Sequence, residues 1–103
     1  MTFKEARKQA REIAIKIDHW CYMYKDSGKN NYYVSKNVDY SADPKTSYYV
    51  HKSGKIINMY LYEKINKNLK KRGIYTYPFS PVIMYQVKSF RKEVLGKWRS
   101  VLW

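Results

Sequence analysis

The segment Tyr32-Tyr33-Val34-Ser35-Lys36 is answered further along the chain by Tyr48-Tyr49-Val50-His51-Lys52, with Asp43-Pro44 between the copies. No other feature limits the fold as much. Aromatic and β-branched runs favour strands, and successive strand side chains point to opposite faces, so the two tyrosines of a doublet cannot share one. Tyr32 and Val34 therefore lie on one face with Tyr33 and Ser35 on the other, and Val38 and Tyr40 extend this strand. Ala42-Asp43-Pro44-Lys45 supplies turn chemistry, because proline presets φ and Asp bonds its own downstream backbone. The repeat thus predicts an antiparallel hairpin. Val34 and Val50 are the better core formers, which turns Tyr32 and Tyr48 inward and Tyr33 and Tyr49 outward.

Helical periodicity flanks the repeat. Thr2-Phe3-Lys4-Glu5 fits a capping box, and Phe3, Ala6, Ala10, Ile13, Ala14, Ile17, Cys21 and Tyr24 then recur at helical spacing, opposite Lys4, Arg7, Lys8 and Arg11. This predicts a helix from about Phe3 to Lys25, with Ile13 and Ile17 mid-stripe and Gly28 as the stop. Ile57, Leu61, Ile65 and Leu69 step by four, and Lys70, Lys71 and Arg72 precede Gly73, which predicts a second helix from about Ile56 to Arg72. A strand from Ile56 followed by a helix is the alternative, with Ser53-Gly54 as a tight turn. Ser80 as cap and Pro81 at the first helical position open a last helix. Its stripe is Ile83, Val87, Phe90, Val94, Trp98 and Val101, interrupted by Gly96. The expected architecture is α+β in the order α-β-β-α-α, one domain over residues 1–103, three helices packed on a hairpin.

Charge bounds the partners. Twenty-one Lys+Arg against eight Asp+Glu leave +13, a self-repulsion that opposes compaction and that an anionic partner offsets. Lysine-rich coding in an A+T-rich genome is the competing explanation of the excess. The single Cys21 forms no internal disulfide, pointing to a reducing compartment. No apolar run approaches the ~20 residues of a membrane span. Lys4, Glu5, Arg7 and Lys8 stand where an apolar signal region would begin, so a cytoplasmic location is expected, in the host cell if the chain is phage-encoded.

Catalytic and metal motifs are lacking. His19 and Cys21 are two apart and diverge on a helix, and His51 stands alone. The carboxylates are scattered: Glu5 suits a cap, Asp43 a turn, and Glu63 a pair with Lys67. Gly73-Ile74-Tyr75 matches half of the GIY-YIG nuclease signature, but the other half is missing downstream. A non-enzymatic protein without metal or cofactor is expected.

What remains is basic residues interleaved with tyrosine, which supplies 12 of the 18 aromatics. Rings that stack on bases and lysines that follow phosphates make a nucleic-acid surface. The candidate contact residues are Tyr33, Tyr49, Lys36 and Lys52 on the repeat, Lys64, Lys67, Lys70, Lys71 and Arg72 at a helix end, and Lys8 and Arg11 on the first helix. Sixteen lysines against five arginines favour phosphate contact over base reading. The leading expectation is a nucleic-acid-binding accessory protein of a phage or mobile element, acting on DNA or RNA. The alternatives are an inhibitor of a host protein or ribonucleoprotein, of the anti-CRISPR or another anti-defence type, anchored by Trp20, Trp98 and Trp103, and a structural or ribosome-associated basic protein.

Overall fold

A computed structural model describes residues 1–26 and 30–94, and the side chains of these as far as residue 89. Gly28, Gly96, Trp98, Val101 and Trp103, and the side chains of Phe90 and Val94, lie outside the described residues. The class is α+β in the order α-β-β-β-β-α-α: α1 (Phe3–Ile17), β1 (Cys21–Lys25), β2 (Tyr32–Ser35), a 3-10 turn (Pro44–Thr46), β3 (Tyr48–Val50), β4 (Ile56–Asn58), α2 (Met59–Lys71) and α3 (Pro81–Val94).

The expected hairpin does not form. Both halves of the tyrosine repeat are strands, but they do not pair with each other: the sheet order is β2-β1-β3-β4, all antiparallel, and β1 separates them. Tyr24 pairs with Tyr33 and Tyr22 with Tyr49, so β1 supplies the ladder for both doublets. The spacing of Cys21 and Tyr24 predicts helix where this strand runs. The helix instead ends at Asp18, which caps it in the left-handed conformation at φ 53°, a region short polar side chains tolerate. A central strand covered on both faces reads as a continuous apolar run, without alternation, and Cys21, Tyr22, Met23 and Tyr24 are all buried.

The second helix also starts later than expected, and the strand-then-helix alternative holds. Ile56–Asn58 pairs with β3, and the Asn58 side chain caps α2 by accepting the Leu61 amide at 3.1 Å. Gly54 closes the β3–β4 turn at φ 94°, its amide donating to the His51 carbonyl at 2.9 Å. Local punctuation elsewhere is as expected. Thr2 and Glu5 form the capping box, Asp43 caps the 3-10 turn, and the Ser80 hydroxyl accepts the Ile83 amide at 3.2 Å to open α3.

Helices cover both faces of the sheet. Ala6, Ala10 and Ala14 bring α1 against Cys21, Met23, Tyr48, Val50 and Ile56, and Phe3 sets its ring edge-on to Tyr32 and Tyr48 at 5.3 and 5.2 Å. On the opposite face Ile57 packs with Leu61, Tyr62 and Leu69 of α2 and with Ile83 and Val87 of α3. Tyr48 is buried and Tyr32 half-buried, facing inward as expected. Tyr49 does not face solvent. It is half-buried between Tyr22, at 5.7 Å, and Tyr62, at 5.4 Å, because α2 and α3 cover the face that a lone hairpin would have left open.

Candidate nucleic-acid interface

Four cations recur along α1 at Lys4, Arg7, Lys8 and Arg11, a spacing of three and four that places them on one flank of a helix. The opposite flank is spent on the alanines against the sheet. Beside the basic flank lies the β3–β4 turn, and the two are tied together. The Arg7 guanidinium donates to the Gly54 carbonyl at 2.8 Å and Arg11 Nε to the Lys52 carbonyl at 3.1 Å. The Lys52 ammonium in turn reaches the Asp18 carboxylate at 2.5 Å, the one ion pair among the described residues. Between helix and turn runs an open groove of about 540 Å³ lined by Lys4, Arg7, Lys8, Arg11, Ser53, Gly54 and Lys55.

Five of those seven residues are cationic and none is acidic. Of the acids near it in sequence, Glu5 and Asp18 are engaged, whereas Glu12, next to Arg11, is exposed. Hydrogen bonds from the Thr2 hydroxyl and amide hold the Glu5 carboxyl below its usual range, and Lys52 does the same for Asp18. His51, at the start of the turn, is pushed toward its neutral form by burial and then by the positive charges of Lys52 and Lys55. The groove therefore presents several guanidinium and ammonium donors to solvent with no acid in its lining, which suits phosphate oxygens.

The residues singled out from sequence separate into three places. Lys8 and Arg11 line the groove and Lys52 adjoins it. Tyr33 lies on the other face of the sheet and is exposed, but its hydroxyl donates to Asp39 at 2.9 Å. It also lines a separate pocket with Lys25, Asp26, Ser41, Ala42, Asp43 and Thr46, so the ring sits in the acidic part of the molecule. Tyr49 is packed between α2 and β1, and burial pushes its hydroxyl pKa far above the usual range. Lys36 is exposed just past β2. Lys64, Lys67, Lys70, Lys71 and Arg72 are exposed on and just after α2, across the sheet from α1. The expected Glu63–Lys67 pair does not form.

Sequence reasoning placed Arg7 on the polar side of α1 without selecting it, and set Lys55 aside because Ser53-Gly54-Lys55 lacks the upstream glycine of a phosphate-binding loop. The helical spacing carried the signal for Arg7, whereas Lys55 reaches the groove only through the fold of the turn. Elsewhere, Cys21 is buried with its thiol donating to the Ser35 carbonyl at 3.1 Å, and burial raises its pKa. Among the described residues no cluster of His, Cys, Asp or Glu could hold a metal ion, and no helix is long and apolar enough to cross a membrane. The chain matches no protein-family model, no curated protein and no solved structure.

Proposed function

We propose that this protein is a non-enzymatic nucleic-acid-binding accessory protein that grips phosphates in the groove between α1 and the β3–β4 turn. The observation that carries this reading is the groove lining: five cations, no carboxylate, and two arginines hydrogen-bonded in place to the turn. Contact is to the backbone. No aromatic ring lines the groove, and the tyrosines of the sheet lie on the face away from α1 or beneath it, so base stacking is not part of this mode. The test is fluorescence anisotropy with a short labelled duplex across a salt series. Log affinity should fall by about 0.9 per log unit of salt for each neutralised phosphate, and reversing Lys8 and Arg11 to Glu should lower that slope by about 2. Absence of binding at low salt would sink the reading.

A protein partner is the second reading, and a different observation favours it. Ile74, Tyr75, Tyr77, Val82 and Tyr85 are all exposed around the start of α3, and tyrosine is enriched at interface centres. On this reading the protein inhibits a host protein through that patch. One stoichiometric protein that co-purifies after nuclease treatment, and is lost when Tyr75 and Tyr85 are changed to Ser, is the result it requires.

A further inference from the structure

We propose that α2 carries a second and independent phosphate-binding face, so that a single molecule bridges two nucleic-acid duplex segments. This rests on the phosphate-binding reading of the α1 groove.

Tyr60, Lys64, Lys67 and Lys71 follow one another at spacings of four, three and four, and all four are exposed. That spacing is one stripe of an α-helix, and it runs along the side away from Leu61, Tyr62 and Leu69, which are buried against the sheet and α3. Lys45 of the 3-10 turn joins it from outside the helix. Its ammonium lies 5.6 Å from the centre of the Tyr60 ring, and that of Lys64 lies 5.2 Å from the same ring. The ring so gathers two ammonium groups at one end of the stripe, and Lys70 and Arg72 extend the charge at the other. The sole acid on α2 is Glu63, which forms no ion pair.

The two basic faces belong to helices on opposite sides of the sheet. α1 packs on the face bearing Cys21, Met23, Val50 and Ile56, and α2 on the face bearing Tyr49 and Ile57. By strand alternation these are opposite sides of the sheet. The molecule measures 37 Å along its longest axis, whereas the persistence length of duplex DNA is about 50 nm. A duplex seated on α1 therefore cannot curl round to α2, and the second face is left for a second duplex.

The test couples a bead-bound duplex to a free fluorescent duplex, with anisotropy on the fluorescent duplex alone run in parallel. The wild-type protein should retain fluorescence on the beads. Lys8→Glu/Arg11→Glu and Lys64→Glu/Lys67→Glu/Lys71→Glu should each still bind one duplex through the remaining face, while bead retention falls to background. An equimolar mixture of the two variants should also fail to bridge. Wild-type binding without bridging overturns this inference and leaves the proposed function standing, whereas no wild-type binding overturns both. Bridging by the α2 variant, or recovery in the mixture, would mean that self-association joins the duplexes, and the two-faced molecule would be wrong. If a reversed variant fails to fold, the Lys→Gln and Arg→Gln versions at the same exposed positions give the same readout.

Discussion

Met23 sits in the central strand with no accessible surface, between α1 and the flanking ladders to Val34 and Tyr48. Truncating it removes most of a buried side chain and leaves a cavity, so Met23→Ala should cost ~2–5 kcal/mol in urea denaturation. Ile17 makes the contrast. Helical spacing placed it mid-stripe, but it is 40% exposed because the helix stops there and the chain turns away. Ile17→Ala should therefore stay within ~0.5 kcal/mol of the wild type. His51 sets a pH dependence. Burial first, then Lys52 and Lys55, lower its pKa from 6.5 in the folded protein, so the unfolded chain binds the proton more readily. Its contribution to stability is fully present above about pH 6.5 and is lost as pH falls through the folded-state value. Melting temperature followed over that range should drop on acidification, and His51→Gln should flatten the drop.

Helix ends and turns follow from local chemistry, and one of them joins three elements. Asn58 closes β4, caps α2 through the Leu61 amide, and donates its side-chain amide to the Lys45 carbonyl at 3.0 Å. Replacing it removes a cap and the bond to the 3-10 turn, so Asn58→Ala should destabilise by about 1–3 kcal/mol, measured by the shift in the urea midpoint. An unchanged midpoint would mean that water or Ser47 takes over both bonds. The element boundaries legible in the sequence are those with this kind of punctuation: Thr2 and Glu5, Asp43 and Pro44, Ser80 and Pro81. The boundary at Asp18 was not legible. Neither Gly nor Pro marks it, and the strand that follows continues the apolar spacing of the helix by coincidence.

For the whole molecule, +13 is a destabilising self-repulsion that the fold leaves largely unpaired, with one ion pair among the described residues. A polyanion that binds the folded state should relieve it. A short duplex at 100 times its Kd should stabilise by about 2.7 kcal/mol, visible as a rise in melting temperature that neutral dextran does not give and that added salt abolishes. No rise would mean that the cationic faces do not bind the folded protein's partners as proposed.

The sequence by itself determined the α+β class, the strand character of both tyrosine doublets, the inward turn of Tyr32 and Tyr48, and the basic flank of α1. Each of these depends on spacing within a few residues, on caps, or on alternation. Only the tertiary structure decided which strands pair, which faces are covered and which cations meet. β1 between the doublets puts Tyr49 under α2 and α3, and moves Tyr33 beside Asp39. The β3–β4 turn carries Lys55 to Arg7 and Arg11, residues far apart in the chain. Pairing and burial depend on free energies summed over contacts between distant segments, and no local pattern encodes that sum.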